Sequence, residues 1–412
     1  MAANPSGVSG RGRSSSAASD RPGKGALAFP DDSGSGQLNE LRKIIHSDGQ
    51  SGLAKPRQPV VAVDAMGGDN APEAIVTGAV QAFRQWGTGI VLIGRPALVR
   101  PLLAEHGVLG QIRLVTAEDA VAMDDGALTS WRRPRSSLAI ACQLVHLGQA
   151  TAVMSAGSTG AIVALARLRL RNLPGVIRPG LAVALPTRPT PTVLIDAGAT
   201  ADPKPEMLAQ FAQLGCAYAE VAFGIAKPRV GLLSIGAEPG KGNKLTKRAY
   251  ELLTAEPAHG AMPIRFAGNI EGGDLLNGKV DVIVTEGFAG NVALKTLEGT
   301  AAFTAQQFKS ALGGSRSARL GAVLARKELR ELADRLSSDT YGGAALLGLE
   351  GAVVIAHGAA TARGAAAACR LAGDITSKKI AERIAERLGP GRQRHFLPRS
   401  DRHRSGAEQE RH

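Results

Sequence analysis

Five segments of the chain pass from a short apolar run, through a turn of small polar residues, into a helical pattern, and these turns hold the residues best suited to chemistry. They read Asp64-Ala65-Met66-Gly67-Gly68-Asp69-Asn70, Ser155-Ala156-Gly157-Ser158-Thr159-Gly160, Asp196-Ala197-Gly198-Ala199-Thr200, Gly236-Ala237-Glu238-Pro239-Gly240-Lys241-Gly242-Asn243 and Thr285-Glu286-Gly287-Phe288-Ala289-Gly290-Asn291. A helix N-terminus flanked by Gly and small hydroxyls traps anions, because its free N–H groups and its dipole both favour negative charge. Asp64, Gly67, Gly68, Gly157, Ser158, Thr159, Gly160, Asp196, Gly198, Gly240, Gly242, Asn243 and Gly290 therefore form a candidate phosphate-binding set. For any one loop, turns and caps explain the same residues equally well. Five together weigh against that explanation.

Among these small residues stand one flexible cation, Lys241, and one amide, Asn291, which become the candidate catalytic groups. Inorganic phosphate is already anionic at neutral pH, so it attacks a carbonyl without a Ser–His pair. It needs positioning and charge relief, and an attacked thioester develops an oxyanion that a Lys and an Asn amide can stabilise. Other chemistries find no footing. Gly236-x-x-x-Gly240-Lys241-Gly242 is one residue short of a P-loop and lacks the Ser or Thr that would hold magnesium. The loops at Asp64 and Ser155 lack G-x-G-x-x-G, and neither a G-x-S-x-G elbow nor an H-E-x-x-H helix occurs.

The elements that must position these groups follow one grammar. Val60–Val63, Ile90–Ile93, Ala152–Met154, Thr192–Ile195, Val230–Ile235 and Val280–Val284 read as strands. Helices are predicted to open near Pro72, with Asn70 as a start signal, and over Ala161–Leu170, Pro205–Leu214, Lys244–Leu253 and Val292–Phe303. This alternation predicts right-handed βαβ crossovers, a mostly parallel sheet covered on both faces, and strand-end loops that share one edge and converge on one site.

The 412 residues allow two or three domains, and 44% hydrophobic against 21% charged residues suits a large globular core. The net charge of +13 raises nucleic acid as a partner. However, residues 1–57 hold eight Lys or Arg against five Asp or Glu, and residues 389–412 hold six against three, so about half the excess lies in the flanks. With only 3% aromatic residues for stacking, no nucleic-acid partner is expected. Residues 1–57, rich in Ser, Gly and Pro and without an apolar h-region, read as a disordered tail, and residues 389–412 as a basic disordered tail. Cys142, Cys216 and Cys369 are far apart in apolar runs, which fits buried thiols in a reducing cytoplasm. The uncharged stretch from Ser136 to Ala166 is too interrupted by polar residues to span a membrane.

From Val60 to about Leu388 the chain resembles the bacterial phosphate acyltransferase family of phospholipid synthesis. The strings that carry the resemblance are VAVDAMGGDNAPEAIV, SAGSTGA, RPGLAVALPT, DAGATADPKPEML, GLLSIGAEPGKGNKLTK, FAGNIEGGDLL, VTEGFAGNVALKTLEG and YGGAALLGL. The resemblance implies a three-layer α/β/α fold like that of isocitrate and isopropylmalate dehydrogenases, shared with phosphotransacetylases. It also implies a homodimer, and no metal or nucleotide cofactor. The implied reaction converts acyl-acyl-carrier-protein and phosphate into acyl-phosphate, which feeds a membrane glycerol-3-phosphate acyltransferase. Within it, the Lys of GKGN and the Asn of GFAGN, here Lys241 and Asn291, look catalytic. One departure is Ser158, where the family usually has Asn; both residues cap helices. His357, in VIAHGAA, reads better as a structural histidine at a strand end. The rival functions are transfer from short acyl-coenzyme A, as in phosphotransacetylases, and a basic scaffold for acidic partners.

Residues 304–336 read as an amphipathic basic hairpin. Lys309, Arg316, Arg319, Arg326, Lys327, Arg330 and Arg335 flank Leu312, Leu320, Val323 and Leu324. Dimer packing is one reading. Transient docking of Leu320, Val323 and Leu324 on anionic membrane is the other, which would make a cytoplasmic protein peripherally membrane-associated.

Overall fold

The computed structural model describes residues 58–389 except 124, 126–129, 131, 257–260 and 337–341. Predicted features of residues 1–57 and 390–412 lie outside the described residues.

The first half of the chain lays down β1 (Val60–Asp64), α1 (Glu73–Trp86), β2 (Gly89–Gly94), α2 (Pro96–Glu105), β3 (Arg113–Thr116), α3 (Ser137–His146), β4 (Ala152–Ser155) and α4 (Thr159–Arg169). Next come β5 (Gly180–Leu185), β6 (Thr192–Ile195), α5 (Pro205–Phe223), β7 (Arg229–Leu233), α6 (Lys244–Thr254), β8 (Arg265–Ile270), a 3-10 turn (Gly272–Asp274) and β9 (Val282–Val284). The chain continues through α7 (Gly287–Gly313), α8 (Arg316–Leu324), α9 (Arg326–Leu336), β10 (Ala344–Leu347), β11 (Ala352–Ile355), α10 (Ala362–Ser377) and α11 (Ile380–Leu388).

One sheet runs in the order β3-β2-β1-β4-β11-β10-β5-β6-β9-β7-β8. Its strands are near-continuous apolar runs, as burial on both faces requires. Val61 and Val63 point into one core, shared with α1, α2, α5, α6, α10 and α11. Ala62 points into the opposite core, with α3, α4 and the base of α7. The result is three α/β/α layers, as expected.

The sheet is not parallel throughout. β3, β2, β1, β4 and β11 form one parallel run, and β6, β9, β7 and β8 form another. Between them, β10 pairs antiparallel with β11 and β5, and β5 pairs antiparallel with β6. Three antiparallel pairings in succession leave the second run opposite in direction to the first, which corrects the expectation that every strand-to-helix loop leaves by one edge.

The expected hairpin at 304–336 is also different in detail. α7 is one continuous helix of 27 residues that carries its distal half out from the sheet, and α8 and α9 fold back at its tip. The three cysteines are buried and free, each thiol pushed up to about 12 by burial.

Candidate functional site

The loops of the first run lock together at the ends of β1 and β4. The Asp64 carboxylate accepts the Ser155 hydroxyl at 2.7 Å and the Met66 N–H at 3.2 Å, and the Ser155 hydroxyl accepts the Gly157 N–H at 3.1 Å. A Cβ on Gly67 would lie 2.6 Å from Asp64 Oδ2 and 2.8 Å from Ser155 Oγ, so only glycine fits between them. Burial pushes the Asp64 pKa up, opposed by hydrogen bonds that include the one from Ser155. Asp64 thus lies beneath the loops and shapes them.

Gly157, Ser158 and Thr159 emerge above it at the start of α4 and line a cavity, while Gly160 lies just behind them in the helix. Ser158 occupies the N-cap position of α4 without a side-chain cap hydrogen bond, contrary to expectation. The expectation for Asn70 is corrected as well. Pro72 is the N-cap of α1, and the Asn70 amide instead donates to the carbonyls of Ala359 and Ala360, both at 3.2 Å. That places the loop after β11 beside the loop after β1. β11 pairs Ile355 with Ser155, and the Ala356 N–H reaches the Ser155 carbonyl, which sets His357 alongside Gly157.

In the second run, Asp196 at the end of β6 is fully buried and accepts four backbone N–H groups, those of Leu181 (3.0 Å), Gly198 (3.1 Å), Ala199 (2.9 Å) and Thr200 (2.7 Å). Burial raises its pKa, and these bonds oppose the rise. The Glu286 carboxylate caps α7 through the N–H groups of Phe288 and Ala289. Gly290 rests so closely on the Asp196 carbonyl that a Cβ would overlap it. Asn291 follows, exposed as the fifth residue of α7, with its amide oxygen 3.5 Å from the position a Gly198 Cβ would take.

These two groups of loops meet over the antiparallel centre of the sheet, around a cavity of about 450 Å³. One part of its wall is polar, with Gly157, Ser158, Thr159, Asn291 and His357. The rest is apolar, with Leu181, Val183 and Leu185 from β5 and Leu294 and Leu297 from α7. Gly240, Lys241, Gly242 and Asn243 do not line it. Lys241 is exposed on the loop after β7, its chain bent back towards Gly236, and Asn243 caps α6 through the Thr246 N–H at 2.9 Å. The expected convergence therefore holds for the Ser158, Asp196 and Asn291 loops and not for the Lys241 loop.

Two further polar residues of the lining, Lys295 and Glu298, went unrecognised in the sequence. They lie four and seven residues beyond Asn291, on the same face of α7, and pair at 2.7 Å. Projecting the helix from Asn291 would have found them. His357, expected to be structural, does lie just past the end of β11 and accepts the Ala359 N–H at 3.2 Å, and it also lines the cavity, facing Glu298 across 3.8 Å. Among the described residues, no group of three or more His, Cys, Asp or Glu could hold a metal, and no helix is long and apolar enough to cross a membrane.

A three-layer α/β architecture with strand-end loops around a cavity is the phosphotransacetylase type of fold. A phosphotransacetylase from Streptococcus pyogenes superimposes with a TM-score of 0.52 at 17% identity, covering 84% of this chain and 98% of that one. EutD phosphotransacetylase from Staphylococcus aureus gives 0.50 at 15% identity, covering 83% and 99%. Sequence narrows the class. Residues 60–383 match the model of the fatty acid synthesis protein family. A phosphate acyltransferase of Thermobifida fusca is 56% identical over 326 residues, 79% of this chain and 90% of that protein. One from Thermus thermophilus is 44% identical over 328 residues, 80% and 98%. The chain belongs to the fatty acid synthesis protein family, among its phosphate acyltransferases, and is an acyltransferase.

Proposed function

We propose that the chain transfers a fatty acyl group from acyl-acyl-carrier-protein to inorganic phosphate, giving acyl-phosphate for phospholipid synthesis. The observation that carries this reading is the two-sided cavity: backbone N–H groups at the start of α4 and the Asn291 amide on one part, a leucine-rich wall on the other. Its size lies within the range of ligand pockets, roughly 300–1,000 Å³. Each methylene it buries contributes about 0.8 kcal/mol, so a long acyl chain gains far more from this wall than an acetyl group.

Phosphate held at the α4 N-terminus attacks the thioester carbonyl, and a C–O bond forms as the carbonyl oxygen takes negative charge. The Asn291 amide stabilises that oxyanion. Collapse of the intermediate breaks the C–S bond, and the thiolate leaves and takes a proton from solvent. No covalent enzyme intermediate is needed. Lys241 supplies a counter-charge to phosphate by reaching in from the loop after β7. Neither metal nor nucleotide enters the reaction.

The enzyme works as a cytoplasmic homodimer whose exposed α8 side chains touch anionic membrane reversibly, where a membrane glycerol-3-phosphate acyltransferase consumes the product. Leu320, Val323 and Leu324, all exposed, support that reading. The fold equally suits transfer from short acyl-coenzyme A, and the apolar wall argues against it. Incubation with phosphate and either long-chain acyl-carrier-protein or acetyl-coenzyme A decides between them, with acyl-phosphate trapped by hydroxylamine. Preference for the acetyl donor would overturn the proposal.

A further inference from the structure

We infer that His357 is a catalytic residue of the acyl transfer, acting as a neutral hydrogen-bond donor to an oxygen of the reacting phosphate or thioester. This rests on the acyl-transfer reading above and adds a residue to it.

Three observations place it there. First, the pairing of β11 with β4 sets His357 beside Gly157, next to the N–H groups that open α4. Second, its ring lines the cavity, and His357 is neither packed away nor bonded to another side chain at hydrogen-bond distance. Third, its Nδ1 accepts the Ala359 N–H at 3.2 Å, an arrangement that uses the Nδ1 lone pair and leaves the proton on Nε2. The Asn70 amide, through the Ala359 and Ala360 carbonyls, holds that loop in place.

The charged groups around the ring set its role. Glu298 on α7 faces Nε2 at 3.8 Å, beyond hydrogen-bond distance, and is itself occupied by Lys295 at 2.7 Å. Asp69, on the loop after β1, lines the same cavity and approaches the neighbouring Gly358. Among the described residues, none lies within hydrogen-bond distance of Nε2, and the ring faces the cavity. A ring fixed as one tautomer by a backbone N–H donates without changing charge, which suits an oxygen whose negative charge grows during attack. The Nε2 proton stays on the ring throughout, and the thiolate still takes its proton from solvent.

The test compares His357→Gln, whose amide can donate from nearly the position of Nε2, with His357→Leu, which has similar bulk and no donor. Both are assayed at saturating phosphate with long-chain acyl-carrier-protein, after thermal melting shows each folded. Expected is a loss in kcat on the order of 10²–10³ for His357→Leu and within about tenfold of wild type for His357→Gln. His357→Ala serves in place of the Leu variant should that one not fold. Equal rates for the donor and non-donor variants, whether both normal or both impaired, would overturn the assignment. A wild type with no turnover of this donor would instead remove the acyl-transfer reading itself.

Discussion

The Asp64 carboxylate and the Ser155 hydroxyl, 91 residues apart in sequence, lie 2.7 Å apart at the ends of β1 and β4 and join the two loops. Because Asp64 is buried, losing this donor leaves a carboxylate oxygen short of a partner. Ser155→Ala should cost about 1–3 kcal/mol in denaturant unfolding. Burial also gives a pH signature. The folded-state pKa of Asp64 stands above its ordinary 3.8, so the folded chain holds the proton more tightly than the unfolded chain. Stability from this group falls as pH rises from 3.8 through the folded value. Asp64→Asn should therefore gain on the wild type most above that window, and the gain should shrink as pH falls towards 3.8. A difference that stays flat across the acid range would contradict it.

Asn291 and Lys241 are both exposed, and each variant should melt like the wild type. Asn291→Ala removes a donor from the cavity wall and should lower kcat on the order of 10²–10³. Lys241→Ala should lower turnover comparably, mainly through kcat/KM for phosphate, since the lysine must reach in from outside the wall. Normal phosphate kinetics in the folded Lys241 variant would remove it from the mechanism and leave Asn291 standing.

Gly290 tests whether placement alone matters. The Asp196 carbonyl occupies the space a side chain would need, and neither strand end can yield easily because Asp196 holds four backbone N–H groups. Gly290→Ala should push the first turn of α7 outward, costing about 1–3 kcal/mol in stability and, by moving Asn291, a drop in kcat. Unchanged melting and turnover would mean that the α7 N-terminus adjusts freely.

How much of this was legible in the residues differs between the frame and the site. Strands such as Val60–Asp64 and Thr192–Ile195 announce themselves by β-branched runs ending in Gly-rich turns, and the three-layer class follows from their alternation with helices. Direction does not announce itself. β5 (GLAVAL) and β10 (AALL) are apolar runs like the others, and nothing local says that they pair antiparallel. Strand order does not announce itself either: β7 runs parallel with β6 and β9 but lies beyond β9, on the far side from β5, so Lys241 stands apart from the cavity that β5 and the Asn291 loop line. His357 and Glu298 come together only through the pairing of β11 with β4 and the course of α7, across 59 residues of sequence. The pattern Asn291, Lys295, Glu298 on one helix face was readable, and its meaning was not without the cavity opposite it.

Residues 1–57 precede a β1 strand whose pairing begins at Val60 with β2 and at Val61 with β4. The Ser, Gly and Pro content of this segment gives little apolar area to bury. A protein beginning at Gln58 should keep its cooperative melting, its oligomeric state and its turnover. Loss of cooperative unfolding in the truncated protein would make the segment part of the folded domain.

α8 presents Leu320, Val323 and Leu324 on one helical face, 63%, 67% and 78% exposed, at spacings of three and four residues. Arg316, Arg319, Arg326 and Lys327 flank them. Burying such a side chain in lipid is worth roughly 1.5–3 kcal/mol, and each basic residue near an anionic surface adds about 1 kcal/mol. Binding of that strength is reversible, screened by salt and selective for anionic lipid. Flotation with vesicles containing phosphatidylglycerol should recover the wild type at low salt and release it at high salt. Leu320→Glu combined with Leu324→Glu should abolish recovery while turnover of soluble substrate continues, because neither residue lines the cavity. Equal recovery of the two proteins, or none of the wild type, would return this face to contact between protomers, and sedimentation of the double variant would then show a weakened dimer.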